Sequence, residues 1–346
     1  MRSPLGGGVA RATRRRGSPR SWFHATLFGV VGLALTGCIQ IALPIGGGPT
    51  PLQESVVYGE RGPKVLMLEI AGPIRDSDEP GSFGLGTREG TVARVRAELD
   101  LARKDAAVKA VLLRIDSPGG TVTASDIVYH EILRFKEERK IPVVAQLMGV
   151  AASGGYYVAM SADAIWANPT TLTGSIGVIF AGVNVSGLMD KLGIADQTLV
   201  SGDRKDTGSP LRPMRPDERA QLQGVLDQLH ARFESVVAQG RPTLGADRVR
   251  ALSDGRIYTA EQARDAGLVD AIGYLPDGIA ETKRRAGLTD ARVIVYRRAR
   301  ESSDNIYSQA SLPTPQVGSG AAELAASLLP SLRGPSFLYL WWPAAP

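Results

Sequence analysis

The sequence predicts an α/β fold, a mostly parallel sheet with helices packed on its faces. Three observations carry that expectation. Short apolar runs of strand length alternate with stretches of helical periodicity, and glycine-rich turns stand at the strand ends. Val108 to Ile115 is almost continuously apolar, as a strand buried on both faces should be.

Taken in order, residues 49–63 are rich in Pro and Gly and read as a tether. Val65-Leu66-Met67-Leu68-Glu69-Ile70 is the first strand, and a Gly/Ser/Pro loop follows it. Val92 to Lys104 sets Val92, Val95 and Leu99 at helical spacing. Beyond the buried strand, Asp116-Ser117-Pro118-Gly119-Gly120 breaks the run and Thr123 to Lys140 reads as a helix. Pro142 to Leu147 is another strand. It leads into Gly149-Val150-Ala151-Ala152-Ser153-Gly154-Gly155, and Tyr156 to Ala162 reads as a helix. Ala164 to Ala167 is a short strand, Thr173-Gly174-Ser175-Ile176-Gly177 a turn, and Thr198–Val200 a strand before a charged loop. A long amphipathic helix over about Pro216 to Gln239 places Leu222, Val225, Leu226, Leu229 and Phe233 on one face. Shorter helices around 246–253, 259–266 and 276–287 precede a strand at Arg292–Tyr296. Residues 301–346 form a Ser/Pro/Ala-rich tail with an aromatic cluster from Phe337 to Trp342. In sheets of this kind, sites form at the carboxyl ends of the strands.

The chain has 346 residues, of which 43% are hydrophobic and 22% charged, enough apolar material for a large core. Wholesale disorder, a collagen, a coiled coil and a polytopic membrane protein are excluded. The net charge of +5 belongs to six arginines, Arg2, Arg11, Arg14, Arg15, Arg16 and Arg20; without them the remainder carries −1. That location argues against a basic footprint for nucleic acid. The same arginines, a charge-free run from Ser21 to Gln53 and small residues before Cys38 have the layout of a secretory signal. Leu35-Thr36-Gly37-Cys38 looks like a bacterial lipobox, which makes residues 1–37 a cleaved leader and Cys38 a lipid attachment point. The alternative is an uncleaved anchor over 22–45. Either places the body on the extracytoplasmic side of a membrane.

Cys38 is the chain's one cysteine, so the body can hold no disulfide and no thiolate metal cluster. With three histidines besides, no metal and no cofactor are expected. Four positions could carry chemistry. Ser153 sits among Gly and Ala at a strand end, where a substrate can approach closely and nearby amides can meet an oxyanion; a helix cap is the plainer role. Gly119 and Gly120 can expose backbone N–H groups as an oxyanion hole, or form an ordinary turn. His130 and His230 lie on helices and read as structural, which leaves a serine nucleophile without its usual base. Lys205, in Ser201-Gly202-Asp203-Arg204-Lys205-Asp206, is the substitute, provided that its surroundings desolvate it and lower its pKa. A solvated loop lysine is the plainer alternative.

At this point the motifs resemble a known family. Asp116-Ser117-Pro118-Gly119-Gly120, Ala151-Ala152-Ser153-Gly154-Gly155-Tyr156-Tyr157, Ala167-Asn168-Pro169 and Thr173-Gly174-Ser175-Ile176-Gly177-Val178 occur in the order and spacing of the bacterial signal peptide peptidases, SppA. Lys205-Asp206 with Ser209-Pro210, Gly255-Arg256-Ile257-Tyr258-Thr259 and Gly267-Leu268-Val269-Asp270 continue the match, which covers about residues 64–296 of an expected domain at 64–300. The resemblance implies a ClpP/crotonase-type fold, a single module that assembles into a ring, and a serine endopeptidase acting on remnant signal peptides or other membrane-associated peptides. Residue by residue, it makes Ser153 the nucleophile, Lys205 the general base supplied by a neighbouring subunit, and Ser175 the hydroxyl that orients the lysine. Gly154 with Gly119 or Gly120 would form the oxyanion hole. Two other classes stay open: a crotonase-like acyl-CoA enzyme, whose cofactor an exported body would not meet, and a non-catalytic lipoprotein scaffold.

Overall fold

The computed structural model describes residues 51–80, 87–298, 305–308 and 336–341. The expected leader, Cys38 and the 22–45 anchor lie outside these residues, as does most of the tail. The described strands are β1 (Leu52–Tyr58), β2 (Lys64–Ala71), β3 (Glu79–Pro80), β4 (Thr87–Arg88), β5 (Val108–Ser117), β6 (Gly119–Thr121), β7 (Val143–Ala152), β8 (Ala164–Ala167), β9 (Leu172–Gly174), β10 (Ile179–Ala181), β11 (Ile257–Thr259), β12 (Ala271–Ile272), β13 (Arg292–Arg298) and β14 (Ser336–Leu340). The helices are α1 (Thr91–Lys104), α2 (Val122–Arg139), α3 (Gly154–Ala159), α4 (Ser186–Leu192), α5 (Pro216–Gly240), α6 (Ala246–Leu252), α7 (Ala260–Asp265) and α8 (Leu275–Arg285).

Among the described residues the main sheet runs β1-β13-β2-β5-β7-β8-β12, with β9 beside the far end of β7 and β11 beside β9. Its pairings are parallel except β1 with β13 and β11 with β9, so the predicted mixed α/β architecture with a mostly parallel sheet holds. The unbroken apolar run has its reason here. Leu66, Leu68, Val111 and Leu113 pack with Val95, Leu99, Ile132 and Phe135 of α1 and α2, while Val65, Met67, Leu112 and Val144 pack on Leu275 and Ile279 of α8. Each such side chain, fully buried, contributes roughly 1.5–3 kcal/mol.

Two charges stand in that run, Lys109 at its start, exposed, and Arg114 within the buried stretch. Arg114 pairs with Glu69 at 2.6 Å, and Arg297 of β13 reaches the other Glu69 oxygen at 2.8 Å. The two guanidiniums also donate to the Tyr307 and Ser308 carbonyls, fixing residues 305–308 against the sheet.

Four segments differ from the sequence expectation. Within the stretch expected to be a tether, residues 52–58 form β1, because β13, paired with β2 along one edge, offers its other edge along Val293–Arg298. Residues 198–200 form no strand and pair with none among the described residues, and Leu199 is 97% exposed. The helix expected from Tyr156 begins at Gly154, and the aromatic tail contributes β14. No helix among the described residues is long and apolar enough to cross a membrane.

Candidate active site

Two strand ends meet where β5 turns into β6 and β7 turns into α3. Ser153 stands at the second turn with φ 51° and ψ −115°, a backbone conformation that non-glycine residues rarely adopt. Two backbone bonds hold it there: its N–H donates to the Gly174 carbonyl at 2.7 Å, and its carbonyl accepts from Tyr157 N–H at 2.8 Å. Ser153 is 1% exposed, and its Oγ is buried without a hydrogen-bond partner among the described residues. Burying an unpaired hydroxyl on a strained backbone costs stability, and such positions concentrate at sites of chemistry.

The glycines around it are required by contact. A Cβ on Gly154 would meet Ser125 Oγ at 2.4 Å and the Gly120 nitrogen at 3.1 Å; one on Gly155 would meet the Ser117 carbonyl at 2.7 Å. Gly119, at φ +101°, has the Gly154 nitrogen 2.7 Å from where its Cβ would be. The β5–β6 turn and the start of α3 are therefore packed backbone against backbone, which no side chain would allow. Gly119 N–H already donates to Ser117 Oγ at 3.1 Å. The Gly119 carbonyl and the Thr121 N–H bond to Ile74 at 2.8 and 3.1 Å, so strand alternation turns the Gly120 N–H the other way, to the groove side of β6. Gly120 and Gly154 are thus the two amides at this space, and Gly119 supplies the room between them.

Ser175 is brought to the same place. It follows Gly174, the residue that anchors Ser153, and it too has a left-handed φ of 49°, with its N–H on the Arg256 carbonyl at 2.8 Å. The pairing Ala152↔Gly174 puts the two serines on adjacent strand ends.

Lys205 is not brought in within one chain. It lies exposed on an arm running from 183 to 212, and its ammonium makes no hydrogen bond or ion pair among the described residues. The arm has few buried side chains of its own: Leu188, Leu192, Ile194 and Leu199 are all exposed. Its base is fixed by a charged clasp that sequence reasoning missed. Arg212 holds Asp206 at 2.6 Å and the buried Glu218 of α5 through a pair of N–H donors, and Arg215 adds a third contact to Glu218 at 2.6 Å. The Arg212 hydrogen bonds bring the Glu218 carboxyl down to about 2 and lower Asp206 as well. The acid-rich start of α5 was the available signal.

His130 is exposed on α2, and His230 lies partly buried on α5 with Nε2 unpartnered among the described residues. The α2–α3–α5 junction instead holds an aromatic cluster of Tyr129, Tyr157 and Phe233, in which Tyr157 donates to Asp126 and Arg232 braces the same carboxylate at 3.0 Å.

The family model for peptidase family S49 matches residues 135–289, and that for Clp protease matches residues 85–170. The chain is 38% identical over 245 residues to "Putative signal peptide peptidase SppA" of Enterococcus faecium, covering 71% of this chain and 70% of that protein. It is likewise 38% identical over 230 residues to a protein named as a protease in Synechocystis sp., covering 66% of this chain and 77% of that one. With "Protease 4" of Salmonella typhi the identity is 31% over 239 residues, and the match spans 69% of this chain but 37% of that longer protein.

Proposed function

This chain belongs to the S49 family of peptidases, and on that premise we propose that it is a serine endopeptidase working through a Ser153–Lys205 dyad. The observation that carries the reading is Ser153 itself: a buried, strained, unpartnered hydroxyl beside the amides of Gly120 and Gly154. An extended peptide carbonyl entering that space would meet both amides, and attack by Ser153 Oγ would place its negative charge on them. Losing one such donor typically costs about 3 kcal/mol of transition-state stabilisation. A neutral Lys205 amine would take the Ser153 proton and return it to the leaving amine, with Ser175 orienting the lysine. Water then hydrolyses the acyl-enzyme.

Because Lys205 rides on an exposed arm, we assign it to the site of a neighbouring copy in a homo-oligomeric ring. The exposed Leu188, Leu192, Ile194 and Leu199 support that assignment, since an apolar arm in water is unfavourable until something covers it. The substrates are assigned as remnant signal peptides and other membrane-associated peptides, met at the outer face of the membrane that Cys38 or the 22–45 segment anchors. No cofactor and no metal is required by this chemistry.

The test is hydrolysis of an apolar signal-sequence peptide by the full chain in detergent, with labelling by a serine-directed acylating probe. Wild type should cleave and label at Ser153, and Ser153→Ala should do neither. Cleavage at the wild-type rate by Ser153→Ala removes the dyad; absence of both activities in wild type leaves the scaffold alternative.

A further inference from the structure

Ser153 and Ser175 hang from one residue, and that residue has no side chain. The Gly174 carbonyl accepts the Ser153 N–H at 2.7 Å, and Ser175 is the next residue along. The turn is left-handed twice over, with φ +81° at Gly174 and 49° at Ser175, so it needs support from outside. That support comes from Gly255-Arg256-Ile257-Tyr258-Thr259, a string to which the chemistry above gives no task. β11 runs antiparallel to β9, with Ile257 opposite Gly174 and Tyr258 opposite Thr173. Just before it, the Arg256 carbonyl accepts the Ser175 N–H at 2.8 Å.

The Tyr258 ring stands where Gly174 has no side chain. A Cβ on Gly174 would be 2.5 Å from Tyr258 Cδ2 and 3.0 Å from Cε2, so the ring lies directly against the Gly174 backbone. Tyr258 is buried, and its hydroxyl donates at 3.1 Å to the carbonyl of Leu252, at the end of α6, where helix carbonyls lack partners of their own. The side chain is thus held at both ends, by β11 at its Cα and by α6 at its hydroxyl. Ser153 has further supports, since β7 leads straight into it and its carbonyl receives the Tyr157 N–H. Ser175 leans on the Arg256 bond and on the Gly174 peptide. Of the two serines it is the one whose place depends on the ring.

We propose that Tyr258 is a positioning residue of this site: by filling the space beside Gly174 it sets the direction of the Ser175 hydroxyl, and through it the aim of Lys205 at Ser153. The proposal rests on the dyad reading above. Without the ring, a void opens against a turn whose two left-handed residues can relax into it. A displacement of about 1 Å at such a point can cost about a hundredfold in rate without touching the reacting atoms. The Gly120 and Gly154 amides are held separately, by Ile74 and by the packing of α3 on the β5–β6 turn, so substrate binding should not follow.

The test is peptide hydrolysis by the full chain in detergent, with melting temperatures measured alongside. Tyr258→Leu and Tyr258→Phe both lose the Leu252 bond, but only phenylalanine keeps the ring. Tyr258→Leu should lower kcat about thirtyfold or more with KM within about twofold, and Tyr258→Phe should recover most of that loss. In a Ser175→Ala background Tyr258→Leu should cost less than about threefold further, because the hydroxyl that Tyr258 positions is gone. Tyr258→Trp, which presses on Gly174 instead of leaving it unsupported, should show the same split of kcat from KM, and it replaces Tyr258→Leu if that variant melts below the assay temperature. A kcat near wild type in the ring-altering variants, or a loss of equal size with and without Ser175, overturns the proposal and leaves the dyad standing. So does a Tyr258→Phe as impaired as Tyr258→Leu, since the Leu252 bond would then carry the effect. Absence of Ser153-dependent hydrolysis in wild type overturns the peptidase reading, and with it the task given to Tyr258.

Discussion

The Ser153 side of the candidate site and the Lys205 arm are built by opposite means. Around Ser153 a Cβ on Gly119, Gly120 or Gly155 would stand within 3.0 Å of backbone, and one on Gly154 within 3.0 Å of the Ser125 hydroxyl. On the arm, Gly187, Gly193 and Gly202 have nothing within 4 Å of the same position, and the apolar residues face water. One side is complete in a single chain; the other has a fixed base, the Arg212 clasp, and an unsupported end. A proton acceptor delivered on such an end works only where a second surface positions and desolvates it. Under the proposed function, assembly and activity are therefore one event.

The largest effect should come from separating the two halves. Ser153→Ala and Lys205→Ala should each lower peptide hydrolysis by at least about a thousandfold. Mixed and reassembled, they should recover about a quarter of wild-type activity, the fraction of random interfaces that unite an intact serine with an intact lysine. Failure of every mixture to recover places the lysine in the same chain and ends the division drawn above.

Gly119→Ala addresses the crowded half alone. The new methyl collides with the Gly154 nitrogen and the Tyr339 carbonyl, on a backbone at φ +101°. Hydrolysis should fall roughly a hundred- to a thousandfold, the scale for a lost oxyanion donor, with loss of thermal stability as well. Gly202→Ala on the arm is the control, and a near-wild-type rate is expected. Equal damage from both substitutions would erase the contrast. Arg212→Ala should act more gently on activity, lowering it about tenfold through the arm's base, and it should cost stability too, because it leaves the buried Glu218 carboxylate with Arg215 alone. An unchanged melting temperature would mean that Arg215 holds Glu218 by itself.

The same contrast decided what the sequence could reveal. Strands buried on both faces announce themselves as apolar runs, and Gly119, Ser153, Gly154 and Ser175 sit at strand ends in recognisable strings, so the fold and half of the candidate site were legible. Lys205 was legible as a residue, but its reach was not, because none of the described residues of its own chain holds its side chain. Arg114 was hidden in an apolar run, since only the neighbouring Glu69 and Arg297 explain a charge there. β1 and β14 were missed for a related reason: each is stabilised by an edge formed elsewhere, β13 for one and β6 with β10 for the other. The Thr198–Val200 expectation failed in the opposite sense, a strand-like string that joins no edge among the described residues.

Glu98 offers the finest probe, one that should leave hydrolysis untouched. It is buried on α1, where desolvation raises its pKa from 4.5 to about 7 despite the Arg94 partner at 2.7 Å. A raised carboxyl binds its proton more tightly in the folded than in the unfolded chain, so folding weakens as pH climbs from 4.5 to 7 and levels off above. Glu218 has the opposite sign: its stabilisation is present above 4.5 and is lost only as pH falls toward about 2. Between pH 4.5 and 7 the body should therefore soften with rising pH while the clasp that holds the arm does not change. Thermal melts of wild type and Glu98→Gln across that window should diverge by a few degrees, with wild type losing ground as pH rises. Parallel melts would mean that Glu98 stays ionised in the folded chain throughout, and the buried half of the molecule would then carry no titration of its own near neutrality.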